Sequence, residues 1–143
     1  MVEPLRVLFE KLVSELPTDC AILHVRRIYK DDGTLFELVP VNKECAPISV
    51  HVEDEVELVD FSFGQSGTWE LPCEGRSKNG DSHTILLEIE QLIRAVVGGH
   101  CEIRRRLLSV FSEVYVEDYT YCIVDVLRFS FPPFTTTRYK PYV

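Results

Sequence analysis

The stretch that most constrains this chain runs from Ser82 to Val97. Ile85, Leu86, Ile89, Leu92, Ile93 and Val96 recur at the spacing of a single helical face, with Glu88, Glu90, Gln91 and Arg94 between them. Asp81 or Ser82 can cap the first free N–H groups. Gly98 and Gly99 follow the last apolar residue, where a left-handed stop costs least. Glu90 and Arg94 stand one turn apart, acid first, a pairing that adds a few tenths of a kcal/mol. A helix with one greasy face must cover something. The flanking segments read as strands, so the spacing predicts a helix lying over one face of an antiparallel sheet.

The rest of the chain supplies that sheet. Pro4 to Leu16 reads as a first helix, with Leu5, Leu8, Phe9, Leu12 and Leu16 on one stripe and Pro17 closing it. Cys20–Tyr29 and Thr34–Val41 read as a hairpin turning at Lys30-Asp31-Asp32-Gly33. Ile48, Val50 and Val52 alternate with Ser49, His51 and Glu53, a half-buried strand. The next strand changes phase between Leu58 and Val59, which predicts a β-bulge, and continues through Phe61 and Phe63. Gly64 to Gly67 is a tight turn, Thr68 to Leu71 a short strand stopped by Pro72, and Cys73 to Gly80 a polar linker. Past the main helix, Cys101–Val116 and Tyr119–Phe131 read as two long strands. The second is apolar on both parities and so belongs in mid-sheet; Pro132-Pro133 ends it. The tail from Phe134 to Val143 is expected to lie extended on the surface.

The expected fold is thus α+β: two helices on a mostly antiparallel sheet of about six to seven strands, in the order helix, strands, helix, two strands. At 143 residues the chain is expected to be one domain. Its parts are an N-terminal helix in 1–19, a β-meander over 20–72, the main helix over 81–98, a C-terminal hairpin over 101–131 and a tail over 132–143.

Charge and cysteine usage narrow the function. The formal net charge of −8 disfavours a nucleic-acid partner, because a phosphate backbone would be repelled. No apolar run approaches the roughly 20 residues of a membrane helix, and the N-terminus has no basic-then-apolar signal pattern. The five cysteines are odd in number and widely spaced, which fits free thiols in a reducing, cytoplasmic setting.

The segment Phe61-Ser-Phe-Gly-Gln-Ser-Gly-Thr-Trp-Glu-Leu-Pro, followed by a helix closing in Arg94-Ala-Val-Val-Gly-Gly, resembles a type of small uncharacterised bacterial protein. There a strand, an aromatic-Glu-Leu-Pro piece and a helix ending in Ala-Val-x-x-Gly come in this order. The resemblance spans residues 48 to 110. It implies a fold and carries over no catalytic residue.

Chemistry-bearing groupings are sparse. His83 and His100 sit at opposite ends of the main helix, and with Cys73 and Cys101 they match no zinc-ligand spacing. Cys101 follows His100 directly, so in a strand the two point to opposite faces. Cys73, near Arg76 and Lys78, has a setting that lowers a thiol pKa. Gly64-Gln65-Ser66-Gly67 is one residue short of a nucleophile elbow, and it lacks the Lys and the helix of a phosphate loop. No catalytic residue, metal or cofactor is expected.

The densest cluster is acidic: Glu53, Asp54, Glu55, Glu57 and Asp60, with no base among them. Such a run protects a sheet edge, or it presents a surface to a basic partner. The leading expectation is a non-enzymatic protein-binding domain, immunity-type or regulatory, that uses Glu53, Glu55, Glu57 and Asp60. One alternative is a ligand binder or enzyme whose pocket, between sheet and main helix, is lined by Phe61, Phe63, Trp69 and Tyr121. Another is a homodimer joined through a strand edge or the aromatic tail.

Overall fold

The computed structural model describes residues 1–28, 33–53, 59–64, 71–72, 82–107, 112–116, 119–123 and 131–143. Helix α1 is Val2–Glu15 and is followed by strands β1 (Ala21–Ile28), β2 (Gly33–Pro40), β3 (Ile48–Glu53), β4 (Val59–Phe63) and β5 (Leu71–Pro72). Helix α2 is Ser82–Val97; β6 (Cys101–Leu107), β7 (Ser112–Val116), β8 (Tyr119–Ile123) and β9 (Phe131–Arg138) complete the order. Among the described residues the fold is α+β, with two helices and antiparallel pairing throughout. The strands do not form the single sheet of six to seven expected above. They form a five-stranded sheet ordered β1-β2-β3-β4-β5 and a four-stranded sheet ordered β8-β7-β6-β9.

The inner face of the first sheet carries the core. Along β3 and β4 alternate residues are buried, so Ile48, Val50, Val52, Val59, Phe61 and Phe63 all point one way. Phe36 and Leu38 of β2 join them. Leu5, Leu8, Phe9 and Leu12 of α1, and Ile85, Ile89, Leu92, Ile93 and Val96 of α2, close the same cluster from above. Phe9 stacks on Phe36 with ring centroids 5.3 Å apart and planes 2° from parallel. The apolar stripe of α2 therefore does lie over the sheet.

A charged bracket joins the helices. The Arg94 guanidinium reaches Glu15 of α1 at 2.8 Å and Glu90, one turn back on α2, at 2.9 Å. Its hydrogen bond holds the Glu15 carboxyl below the usual value of 4.5. A carboxyl depressed by folding adds stability above its unfolded pKa and loses it as pH falls through the folded one. We expect melting temperature to fall as pH drops below about 4.5, and Arg94→Met to flatten that part of the profile. Both groups are nearly half exposed, so added salt should shrink the effect.

Helix α2 ends as its glycines predict. The His100 N–H donates to the Ala95 carbonyl at 2.9 Å and the Gly99 N–H to Val96 at 3.0 Å, with Gly99 at φ +76°. This is a Schellman stop, in which the left-handed residue turns the chain so that its next N–H groups reach back to the orphan carbonyls.

The C-terminal half departs most from expectation. Cys101–Val116 is not one strand: β6 and β7 pair antiparallel, with Cys101 opposite Val116. The intervening sequence lacks the Gly, Pro, Asn or Asp that normally announces a reversal. Tyr119–Phe131 is not one mid-sheet strand either. β8 is an edge of the second sheet, while Phe131 opens β9 on its other side. Pro132-Pro133 does not end the sheet. Arg106 lies opposite Phe134 and Leu107 opposite Phe131, so both prolines fall in a register shift where no ladder N–H is required. Nor does the tail simply lie on the surface, because Tyr142 is buried in the core cluster. The expected bulge at Leu58 and the turn over 30–32 fall outside the described residues, as do Trp69, the acids Asp54, Glu55 and Glu57, and Cys73.

Candidate interaction surface on the outer face of the first sheet

Strand alternation that buries one face of β1 to β4 sends a second set of side chains outward. On β3 these are Ser49, His51 and Glu53, and on β4 Asp60 and Ser62. On β1 they are Ile22, His24 and Arg26, and on β2 Leu35, Glu37 and Val39. Register aligns them in cross-strand rows. Arg26, Leu35, His51 and Asp60 form one row; His24, Glu37, Ser49 and Ser62 form the next. The outer face is thus a mixed field of acids, imidazoles and one arginine over half-buried backbone.

Two contacts organise it. Arg26 of the edge strand reaches Glu37 at 3.5 Å. His51 Nδ1 stands 3.7 Å from Asp60 Oδ2, an ion contact when the imidazole is protonated but too long for a hydrogen bond. The pair therefore lacks the fixed tautomer that a base–orienter dyad needs. Among the described residues, His51 Nε2 is buried without a hydrogen-bond partner.

Gly33 explains where that ring goes. A Cβ at position 33 would stand 2.3 Å from His51 Nε2 and 2.8 Å from the Val52 carbonyl oxygen. The imidazole lies over a bare backbone, and that is why glycine fits. Gly33→Ala should destabilise the fold by about 1–3 kcal/mol, as overpacking does. Adding His51→Ala should recover only the part due to the ring, since the Val52 carbonyl cannot swing away. Urea titration of the two singles and the double reads the coupling.

The acids expected to bind a partner are placed as follows. Glu53 ends β3 opposite Gly33, and Asp60 faces His51; both are half-buried on the outer face. Glu55 and Glu57 lie outside the described residues. Of the residues expected to line a pocket, Phe61 and Phe63 lie against each other with ring centroids 6.4 Å apart, and Trp69 lies outside the described residues. Phe61 and Phe63 are 0% and 2% exposed, packed inside the core. Tyr121 belongs to β8, in the other sheet. Phe61, Phe63, Ile89 and Ile93 belong to one buried cluster between the sheet and α2.

Alternation along β3 puts His51 on the wet side of the strand. Its strand parity is outward as read, but its side chain is only 17% exposed. No local pattern announces that, because the covering comes from strands paired across the sheet. Cys101 is unsuited to nucleophilic work, since burial pushes its thiol up to about 12. Among the described residues, no group of three His, Cys, Asp or Glu side chains could hold a metal ion, and no helix is long and apolar enough to cross a membrane.

Compared with protein-family models, curated proteins and solved structures, the chain matches none.

Proposed function

We propose that this protein is a non-enzymatic binding domain, immunity-type or regulatory, that takes a basic protein partner on the outer face of its first sheet. The observation that carries the reading is the common face of Glu53 and Asp60, which bracket the acidic run in a chain of net charge −8. A net negative charge with acids gathered at one end of that face steers an oppositely charged partner and selects against like-charged ones. The buried Phe61 and Phe63 favour this reading over a pocket, because their rings are spent on packing. The free thiols of Cys20, Cys45 and Cys101 suit a reducing compartment.

The test is the triple charge reversal Glu55→Lys, Glu57→Lys and Asp60→Lys, compared with the unaltered chain in affinity capture from the native host. The expected outcome is a basic partner held by the unaltered chain, cross-linked to β3 or β4, and lost by a variant whose circular dichroism is unchanged. Equal retention by the folded variant would refute the assignment.

A homodimer joined through β1 is the second reading. Ile22 and Val39 sit directly across from each other at the open edge, 54% and 41% exposed, with Val41 beside them. Light scattering that gives a monomer mass over a wide concentration range would end it.

A further inference from the structure

The last residues of the chain occupy a seat built from two distant parts of the fold. One wall is the loop between β2 and β3; the other is the C-terminal end of α2. Main-chain pairing holds alternate residues: the Lys140 N–H donates to the Glu44 carbonyl and the Tyr142 N–H to the Val97 carbonyl, each at 2.9 Å. The Cys45 thiol donates to the Pro141 carbonyl between them at 3.2 Å. Lys140 Nζ meets the Glu44 carboxylate at 2.8 Å. The Tyr142 side chain enters the core, and its hydroxyl donates to the Ala46 carbonyl at 2.6 Å. Tyr139 adds an edge-on contact with the Phe63 ring, centroids 6.2 Å apart. The floor is Gly99, where a Cβ would stand 2.6 Å from Pro141 N.

These are the means by which proteins recognise extended peptides: backbone N–H groups paired at alternate positions, one deep aromatic anchor and one charge contact. The seat also answers a need of its own walls. The Val97 carbonyl belongs to the last turn of α2, where the helix supplies no partner, and the Tyr142 N–H fills that vacancy.

We propose that this seat is a peptide-recognition site, occupied in cis by Tyr139–Val143, that accepts the same segment as a separate molecule. The ligand class is an extended peptide with a cation two residues before a tyrosine. The anchor supplies most of the affinity. The Lys140–Glu44 pair is exposed on both sides, so it tunes selectivity only modestly. The inference does not depend on the outer-face reading.

The test uses the full chain carrying Lys140→Glu and Tyr142→Ala, which weakens the cis occupant, and a fluorescently labelled Arg-Tyr-Lys-Pro-Tyr-Val peptide. Saturable binding is expected. A peptide with Ala for the last tyrosine should bind at least tenfold more weakly, and one with Phe several-fold more weakly. Glu44→Lys in the chain should weaken the native peptide a few-fold and favour one with Glu in place of Lys. Absence of saturable binding by the folded variant overturns the proposal, and so does binding that ignores the tyrosine.

If the variant fails to fold, the unmodified chain decides by hydrogen exchange. Excess peptide should displace the native tail and speed exchange at the Lys140 and Tyr142 amides. Unchanged exchange at millimolar peptide overturns the proposal equally.

Discussion

Gly99→Ala should lower stability by about 2–4 kcal/mol, and Gly98→Ala, its immediate neighbour, by less than about 1 kcal/mol. Two penalties meet at Gly99. Its φ of +76° is left-handed, which costs an L-residue about 1–2 kcal/mol. A Cβ there would also stand 2.6 Å from Pro141 N and 2.8 Å from its Cδ, so the tail must lift or the helix end must shift. Gly98 shows neither problem to that degree, its Cβ meeting nothing nearer than the His100 ring at 3.0 Å. Thermal unfolding should show a drop near 10 °C for Gly99→Ala, by the roughly 2–8 °C per kcal/mol of domains around this size. The Lys140 and Tyr142 amides should lose hydrogen-exchange protection in the same variant. A melt indistinguishable from that of Gly98→Ala would contradict the account.

Phe9→Ala should cost about 3–5 kcal/mol, the range for deleting a buried aromatic ring. Phe9 is fully buried and lies flat on Phe36, so its loss opens a cavity between α1 and the sheet while leaving both backbones in place. Leu replacing Phe at position 9 should recover part of the loss by refilling volume without the stack. Val7→Ala on the same helix is the control: Val7 is exposed, and the expected change stays within about 0.5 kcal/mol. Chemical denaturation of the three variants separates these outcomes. Phe9→Ala at the level of Val7→Ala would mean that α1 is not part of the core.

Local pattern carried much of this architecture. The bounds of α2 were readable because its apolar period, polar gaps and terminal glycines all agree over Ser82–Val97. The β1–β2 hairpin and the inward set of β3 and β4 were readable from turn residues and alternation. What stayed illegible depends on partners far along the chain. Nothing around Leu107 marks the reversal that sets Cys101 against Val116. Nothing around Pro132 says that β6 will tolerate a slip of register there. Tyr142 looks like any tail aromatic until Ala46, 96 residues away, is beside it.

The candidate surface divides along the same line. The outward parity of Glu53 and Asp60 follows from the strand period, but the half-burial of His51 over Gly33 follows from pairing across β2 and β3. The aromatics expected to line a pocket divide in the same way. Phe61 and Phe63 share a strand face as alternation demands, whereas the apolar run beginning at Tyr121 marks a strand without saying which sheet it joins.

The slip at Pro132-Pro133 bears on how far the second sheet can grow. β9 is an outermost strand, and edges of that kind invite another chain to zip on. Two adjacent residues without an N–H leave a gap in the donor row, and the shift of register beside them kinks the line an incoming strand would have to follow. The sheet is therefore blunted against lateral polymerisation on that side by backbone chemistry alone, with no need of a covering helix.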